Sequence, residues 1–384
     1  MTFEFATAGR VIFGPGTRRE VGSLVRAFGT RALLITGRDR TRADPVLQML
    51  KAAGVETEGF ALAGEPTLAA VERGAALARD RSSEVVIGLG GGSAIDAAKA
   101  VAALATNLGP ALDYLEVIGA GRPLKVAPLP CVAIPTTAGT GAEVTRNSVL
   151  ASPEHRVKVS LRHPRMLPRI ALVDSELTMD LPPGLTASTG LDALTQVIEP
   201  YVCNRANPLV DSLCVEGIRR SARSLRRAFD TPGDASARDD LALASLCGGL
   251  ALANAGLGAV HGFAAPLGGM FPAPHGAVCA ALLPHVMAAN IRALRERSPE
   301  SGPLARYDEI ARLLTGRPQA VADDGVAWVV DLCAALGIAR LRTFGVDEAA
   351  VPTVVEKAAQ ASSMKANPIA LTVAELTAIL RSAL

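Results

Sequence analysis

Residues 85–96 read VVIGLGGGSAID, and this stretch is the strongest signal for the fold of the N-terminal half of the chain. A β-branched run ends in the turn GLGGGS at residues 88–93, where a helical pattern begins. Glycine at a strand-to-helix turn lets backbone N–H groups approach an anion, and the helix N-terminus adds a favourable potential. Three consecutive glycines are destabilising unless they serve a purpose, so the stretch favours a phosphate-binding turn over a merely tight one.

The turn does not occupy the position of the ordinary dinucleotide fingerprint. That motif follows the first strand of its domain and precedes an acidic residue by about 20 positions. Here two or three predicted strands come first, so a group that contacts the adenosine ribose should follow an earlier strand. Residues 35–39, ITGRD, are the candidate for that contact.

Strand and helix signals alternate through the first 180 residues, which predicts a parallel sheet covered by helices. Predicted strands cover residues 11–14, 32–36, 58–61, 84–89, 132–135 and 170–173, and predicted helices cover 18–28, 45–53, 69–79 and 94–105. After the LPPG of residues 181–184 nearly every segment has helical periodicity: 186–201, 207–228, 237–258, 276–295, 303–314, 322–336, 347–361 and 372–383. We therefore expect an α/β domain over residues 1–182 and an all-helical domain over 183–384.

Composition excludes several classes of protein. A formal net charge of +2 with scattered arginines gives no footprint for nucleic acid. The N-terminus has no signal-peptide pattern, and six cysteines without CxxC spacing indicate a reducing compartment, so we expect a cytoplasmic protein. The apolar segment 241–260 is long enough to span a bilayer, but its glycines and its lack of aromatic or basic flanks favour a buried helix over a membrane span.

The segment from residue 241 to residue 291 contains no Asp, Glu, Lys or Arg, yet it contains three of the five histidines, His261, His275 and His285. A buried imidazole needs a hydrogen-bond partner, a metal or a catalytic task, so we expect the chemistry here. A second small turn, PTTAGTG at residues 135–141, presents the hydroxyls of Thr136, Thr137 and Thr140 to a pyrophosphate or ribose.

These motifs together resemble the iron-containing (group III) alcohol dehydrogenase family, including its maleylacetate reductase branch. The resemblance lies in GGGSAIDAAK (90–99), PTTAGTGAE (135–143), GLDALT (190–195), HG (261–262) and PHG (274–276), and it extends from residue 12 to residue 368. It implies a dinucleotide-binding α/β domain followed by a helical domain, the dehydroquinate synthase-like architecture. The cofactor residues that it implies are Gly90, Gly91, Gly92, Ser93, Asp96, Thr136, Thr137, Thr140, Asn147 and Lys158.

The resemblance also implies a divalent metal, Fe²⁺ or Zn²⁺, on an Asp, a residue four positions later and two histidines fourteen residues apart. The matching positions are Asp192, Gln196, His261 and His275, so His261, His275 and Asp192 are the predicted catalytic residues. Gln196 stands where the family has histidine, and a neutral amide oxygen is a poorer ligand than imidazole. The sequence thus leaves open a weak site, a site completed by water, or no metal at all.

Two further positions depart from the family. A proton-relay histidine is replaced by Ala265, and an Asp that selects NAD over NADP is replaced by Gly37, beside Arg38. A small residue at Gly37 removes the repulsion that a 2′-phosphate would meet, so the cofactor is expected to be NAD or NADP.

The leading hypothesis is an NAD(P)-dependent oxidoreductase that transfers hydride between nicotinamide and an alcohol, aldehyde or ketone, with metal assistance. The alternative is a metal-independent keto-acid reductase resembling maleylacetate reductase, which the loss of a histidine at Gln196 favours. A lyase of the dehydroquinate synthase kind and a non-catalytic nucleotide-binding protein are weighed as well. The expected partner is a small alcohol or carbonyl compound, with neither nucleic acid nor membrane, in a homodimer.

Overall fold

The computed structural model describes residues 2–39, 41–155 and 157–384. These residues form two compact units. The sheet unit comprises Ala6–Thr137 and Gly141–Thr178. The helical unit comprises Met179–Leu384, the short segment Ala138–Thr140 and the N-terminal residues up to Phe5. The fold class, a parallel-sheet domain followed by a helical domain, is confirmed. The exact domain border, between residues 182 and 183, stays a prediction.

The sheet unit is built on parallel strands. Its described residues contain the strands β1 (Val11–Phe13), β2 (Arg31–Thr36), β3 (Glu56–Ala61), β4 (Val85–Gly90), β5 (Cys131–Pro135), β6 (Asn147–Ser152), β7 (Val157–Arg162) and β8 (Ile170–Val173). Six of them form one sheet in the order β1-β8-β5-β4-β2-β3, and every pairing in that sheet is parallel. The central strands β4 and β5 are buried throughout, because helices cover both faces of a parallel sheet.

Four helices of the sheet unit connect these strands: α1 (Val21–Arg26), α2 (Asp44–Ala52), α3 (Leu68–Asp80) and α4 (Gly92–Thr106). The alanine-rich helix α4 packs closely on β4, since a Cβ at Gly88 would lie 2.8 Å from the Cβ of Ala98. This close approach fixes the turn between β4 and α4, where the predicted phosphate-binding glycines lie.

The helical unit contains the helices α5 (Pro183–Val202), α6 (Pro208–Asp230), α7 (Ala235–Asn254), α8 (Ala259–Met270), α9 (His275–Arg297), α10 (Gly302–Thr315), α11 (Ala322–Ala335), α12 (Val351–Gln360) and α13 (Val373–Ala383). One hydrophobic core joins them and includes buried side chains of α5, α8 and α9. Helix α9 is long and apolar enough to cross a membrane, but 78% of its most apolar window is buried inside the protein. Core helices of soluble proteins have this character.

Two features differ from the expectation. The antiparallel hairpin of β6 and β7 was missed, and the segment predicted as one helix over residues 237–258 is broken. Helix α7 ends at Asn254, and α8 begins at Ala259 after a bend of 95°. The bend is stabilised from outside the segment, because the backbone N–H groups of Ala259 and Val260 donate to side chains of Asn367 and Glu199. Such a bend cannot be predicted from local periodicity, because the capping side chains are distant in the sequence.

Candidate metal centre and cofactor turn

Helix α5 presents three polar side chains on one buried face of the helical unit. Asp192, Gln196 and Glu199 are spaced i, i+4 and i+7, so they line one side of the helix. Each is at most 4% exposed. Burying polar groups in an apolar core costs free energy unless they are paired, so the partners of these three side chains define the site.

Glu199 fixes the orientation of His261. One carboxylate oxygen, Oε1, accepts a hydrogen bond from the backbone N–H of Val260 at 2.7 Å, in the first turn of α8. The other, Oε2, lies 2.7 Å from Nδ1 of the His261 ring. An imidazole that donates Nδ1–H to a carboxylate keeps its Nε2 lone pair free, which is the usual arrangement of a metal-binding histidine.

Helix α9 contributes two more groups. His275 is its first residue, and Cys279 lies one turn later on the same face. Cys279 Sγ is 3.7 Å from His275 Nε2 and 3.9 Å from His261 Nε2. The two imidazole rings lie 5.4 Å apart between centroids.

These groups converge on Asp192. Its Oδ1 lies 3.5 Å from His261 Nε2 and 3.6 Å from His275 Nε2. One donor atom from each of Asp192, His261, His275 and Cys279 lies within 4.8 Å of all the others. Asp192 Oδ1 is buried and accepts no hydrogen bond from the described residues. A cluster of nitrogen, oxygen and sulfur donors around a carboxylate oxygen that accepts no hydrogen bond is suited to a divalent cation.

The electrostatics of the cluster also favour a positive charge. Burial opposes ionisation of Asp192, yet the attraction of His275 and His261 outweighs it and lowers the pKa of this carboxyl. The electrostatic influence of Cys279 and Asp192 outweighs burial and raises the pKa of His275 to about 9. The pKa of His261 is raised well above its usual value although burial opposes this, because Cys279, Asp192 and Glu199 all stabilise its charged form.

Gln196 lies beside this cluster with its amide nitrogen engaged. Nε2 donates to the carbonyl oxygen of Gly139 at 3.1 Å, and Gly139 belongs to the helical unit. The amide of Gln196 also makes a small contribution to lowering the pKa of Asp192. Its Oε1 is buried and accepts no hydrogen bond from the described part of the chain. The predicted role of Gln196 as a metal ligand stays a prediction.

The glycine turn of the sheet unit has the backbone form that close approach requires. Gly90 has φ +152, a value that side-chain-bearing residues rarely adopt, and a Cβ there would lie 2.8 Å from the Cβ of Ala94. Gly91 is the N-cap of α4 and receives no side-chain cap. Gly92 and Ser93 begin that helix, so backbone donors of its first turn have no intrahelical acceptor.

Strands β4 and β5 are neighbours, and their register pairs Gly90 with Pro135. The threonines that follow β5 therefore lie beside the glycine turn: a Cβ at Gly91 would lie 3.4 Å from Oγ1 of Thr137. Thr136 is bound to the turn through its backbone N–H, which donates to Gly90 O at 2.9 Å. Thr140 belongs to the helical unit, so only Thr136 and Thr137 of the three predicted hydroxyls are placed here.

The remaining predicted cofactor residues of the sheet unit are held by protein partners. Asp96 Oδ1 lies 2.9 Å from Nζ of the buried Lys99, and Asp96 Oδ2 accepts from the backbone N–H of Val149 at 3.0 Å. The backbone carbonyl of Asn147 accepts a hydrogen bond from Lys99. Lys158 Nζ pairs with Glu65, 2.6 Å from its Oε1. The contacts of Asp96 and Lys99 position the hairpin against α4, and the Lys158–Glu65 pair joins it to the segment before α3.

Gly37 follows β2, whose last residue, Thr36, is in register with Leu89 of β4. Its backbone N lies 3.7 Å from a Cβ placed on Gly90, so it neighbours the glycine turn. A Cβ at Gly37 itself would meet nothing within 4 Å. Arg38 donates to the carbonyl oxygen of Ala63 at 2.9 Å. The structure thus leaves room at Gly37 for a larger side chain.

Sequence reasoning missed Cys279, a member of the candidate metal cluster, and Glu199, which orients His261. Both carry a sequence signal that went unused. Glu199 is seven residues after Asp192, and Cys279 is four residues after His275, so helical spacing alone places each on the face of a predicted ligand. His285, farther along α9, lies outside this cluster, and burial lowers its pKa.

The glycine-rich turn of the sheet unit suits an anion such as a phosphate, and the cluster of the helical unit suits a divalent cation. The comparisons with known proteins specify the class. The family profile "Iron-containing alcohol dehydrogenase" matches residues 8–175, and "Fe-containing alcohol dehydrogenase family, C-terminal" matches residues 186–384. The chain belongs to the iron-containing alcohol dehydrogenase family, and it is an oxidoreductase that acts on CH–OH groups.

Relatives of known name cover nearly the whole chain. Long-chain-alcohol dehydrogenase 1 of Geobacillus thermodenitrificans is 35% identical over 97% of this chain and 96% of its own length. A 1,3-propanediol dehydrogenase of Klebsiella pneumoniae is 35% identical over 99% of this chain and 98% of its own.

The crystal structure of a 1,3-propanediol oxidoreductase superposes with a TM-score of 0.91 at 34% identity, over all of both chains. Sulfoacetaldehyde reductase from Bifidobacterium kashiwanohense, solved in complex with NAD+, superposes with a TM-score of 0.88 at 27% identity, over 100% of this chain and 99% of that one.

Proposed function

We propose that this alcohol dehydrogenase interconverts a small alcohol and its aldehyde or ketone with NAD or NADP, and that a divalent metal is held by Asp192, His261 and His275. The observation that supports the metal most directly is the buried Asp192 Oδ1, which has no hydrogen-bond donor among the described residues while two imidazole nitrogens lie within 3.6 Å. A buried carboxylate oxygen that accepts no hydrogen bond is costly, and a cation beside it would lower that cost.

When bound, the dinucleotide supplies the hydride donor or acceptor, and the cation supplies a Lewis acid at the substrate oxygen. Residues of the chain would hold both the dinucleotide and the cation in place. Asp192, His261 and His275 provide the donor atoms, and Glu199 holds His261 so that Nε2 faces Asp192. This preorganisation keeps the donors from turning away, and loss of such a partner typically costs about 10–100-fold in metal affinity.

In the sheet unit, we propose that backbone N–H groups of Gly90, Gly91, Gly92 and Ser93 bind the dinucleotide phosphates. The uncapped start of α4 supports this role, because its unpaired N–H groups and helix dipole favour an anion. Thr136 and Thr137 lie beside the turn and supply hydroxyls, and Gly37 leaves space for a 2′-phosphate.

The other predicted cofactor residues are assigned supporting roles in the same proposal. Asp96 and Asn147 bind Lys99, and Lys158 pairs with Glu65. Lys158 is the one that a ribose could recruit, since the Glu65 side chain is 44% exposed and can release it to solvent. Thr140 keeps its predicted role in binding the cofactor.

The proposal includes a cytoplasmic homodimer that acts on a small molecule, without nucleic acid or membrane. Six free cysteines, most of them buried, suit a reducing compartment. The near-neutral net charge of +2 suits a protein without a polyanionic partner. Sedimentation analysis would report the mass of the assembly, and a monomer at micromolar concentration would contradict the dimer.

The experiment measures metal and turnover in the same preparation. The protein is purified without chelator, its metal content is determined by mass spectrometry, and oxidation of NADH and NADPH is followed with a panel of aldehydes, ketones and keto acids. We expect stoichiometric metal, turnover with an aldehyde or ketone, loss of activity with EDTA and recovery with Zn²⁺ or Fe²⁺. Activity that is insensitive to EDTA and confined to keto acids would favour the metal-independent alternative instead.

A further inference from the structure

We propose that Cys279 Sγ is a protein ligand of the metal, in the place where Gln196 was predicted, so that the donor set is Asp192, His261, His275 and Cys279. This inference rests on the proposed function, because it presumes that a divalent cation binds among the first three residues. It adds a thiolate to the set, and a thiolate favours Zn²⁺ and other borderline or soft cations over hard ones.

The distances between the donor atoms support a single centre. A tetrahedral Zn²⁺ site separates two N or O donors by about 3.4 Å, and an N and an S donor by about 3.6 Å, given its usual bond lengths. The separations of Asp192 Oδ1 from the two Nε2 atoms are 3.5 and 3.6 Å. The separations of Cys279 Sγ from the same two nitrogens are 3.7 and 3.9 Å. Each separation is close to the value expected for two donors that share one ion.

Hydrogen bonding alone accounts poorly for this arrangement. A thiol carries one proton and can donate to only one acceptor, yet Cys279 Sγ faces both imidazole nitrogens at similar distances. Asp192 Oδ1 faces the same two nitrogens and takes a hydrogen bond from neither. A cation among these atoms satisfies the carboxylate, both rings and the sulfur together.

The orientation of Gln196 favours Cys279 over the amide as the ligand. Its Nε2 donates to Gly139 O at 3.1 Å. Because that carbonyl oxygen is an acceptor, the NH₂ group, which has no lone pair for a metal, faces it. Turning the amide so that Oε1 took the place of Nε2 would set one oxygen against another.

Helical spacing explains how Cys279 on α9 can stand in for Gln196 on α5. On α5 the i, i+4 pair consists of Asp192 and Gln196, and on α9 it consists of His275 and Cys279. Each pair spans one helical turn and faces the cluster. Helix α9 can thereby supply the donor that Gln196 does not supply from α5. Metal binding by Cys279 releases its thiol proton to solvent, because the thiolate is the ligand.

The first test replaces the bound metal with Co²⁺ and records the absorption spectrum. We expect a thiolate-to-cobalt charge-transfer band in the near ultraviolet for the wild-type protein and for Gln196→Ala. The band should be absent from Cys279→Ser with Co²⁺ still bound, and it should persist in Cys214→Ser, a matched variant of another buried cysteine in the helical unit. A wild-type protein that binds Co²⁺ without this band overturns the inference.

The second test measures metal affinity by competition with a chromogenic chelator. For Cys279→Ser and Cys279→Ala we expect the Zn²⁺ affinity to fall by at least about 100-fold, and the Mn²⁺ affinity to change less, because Mn²⁺ is a harder cation. Circular dichroism and NADH binding report whether each variant folds. An equal loss for both metals, or a larger loss in Gln196→Ala than in Cys279→Ser, contradicts ligation by sulfur.

These outcomes separate the two proposals. Metal with no sulfur signature leaves the proposed function standing and overturns the role of Cys279. Turnover of a carbonyl compound by a protein that binds no metal overturns the role of Cys279 together with the metal, while the dehydrogenase activity itself remains.

Discussion

Two buried carboxyl groups, one in each unit of the molecule, are held in opposite states. In the helical unit Asp192 is 1% exposed, yet its pKa is lowered. In the sheet unit Glu143 is 2% exposed, and burial raises its pKa to about 7, despite its own backbone N–H and the charge of Lys99. Burial opposes ionisation of both carboxyl groups. The opposite directions of their pKa shifts therefore come from the neighbouring groups.

The neighbours of the two carboxyl groups indicate which kind of ligand each unit suits. Asp192 faces two imidazoles that favour its charge, and the cluster accommodates a cation. Lys99, whose charge acts on Glu143, already binds Asp96 Oδ1 and the carbonyl oxygen of Ala142. The helical unit thus concentrates side-chain donors on one point, whereas the sheet unit leaves backbone N–H groups open at the glycine turn, where we propose that an anion binds.

The largest effect is expected when a proposed ligand is removed from the candidate metal cluster of the helical unit. His261→Ala should lower kcat/KM on the order of 1,000-fold, because it deletes a proposed metal ligand and removes the imidazole partner of Asp192 and Glu199. NADH oxidation with a reactive aldehyde measures the loss, together with metal content. The control is His285→Ala on α9, which should keep both; near-normal activity of His261→Ala would refute the assigned role.

Glu143 gives a pH-dependent test of the other unit. Its unfolded pKa is near 4.5 and its folded pKa about 7, so the folded state holds the proton between these values. The stabilisation is complete below pH 4.5 and is lost as pH rises to 7, a total on the order of 3 kcal/mol. Glu143→Gln should remove this fall in the free energy of unfolding.

Urea denaturation of the wild type and Glu143→Gln at pH 5 and pH 8 checks this prediction. Metal content should be the same in both proteins, because Glu143 belongs to the sheet unit. If both proteins lost stability equally between the two pH values, Glu143 would not be the group that titrates.

The glycine turn can be tested without touching the metal cluster. Gly90→Ala places a Cβ 2.8 Å from the Cβ of Ala94 at a positive φ, so we expect a loss of about 1–3 kcal/mol in stability or dinucleotide binding. NADH fluorescence titration and thermal unfolding measure the two effects. Gly59→Ala is the matched control, since a Cβ there meets nothing within 4 Å. Unchanged NADH binding in Gly90→Ala would count against the turn as the phosphate site.

The smallest expected effect concerns the choice of dinucleotide. Gly37→Asp adds a negative charge where a side chain has space, so we expect about a tenfold shift in preference from NADP toward NAD. The ratio of kcat/KM values for the two cofactors measures the shift. Gly37→Asn adds the same volume without the charge and should shift the ratio less; an equal shift would mean that volume decides.

Much of the fold was predictable because its signals are local. The alternation of strand and helix, the glycine turn after β4 and the histidines of the charge-free segment are all read within a few residues of one another. The hairpin of β6 and β7 was missed because β6 alternates in burial and β7 carries the charged residues Lys158 and Arg162, so neither strand has the apolar run of the central strands. The bend before α8 was missed because Glu199 and Asn367 cap it from other parts of the chain.

Local patterns in the sequence indicated the parallel sheet, and the resemblance of its ordered motifs to the family implied Asp192, His261 and His275 as groups of the proposed metal centre. Only the tertiary structure decided that Glu199 orients His261, that Gln196 turns its amide nitrogen to Gly139, and that Cys279 joins the donors. The reason is physical: a cluster is defined by distances between atoms on different helices, and those distances exist only after the helices have packed.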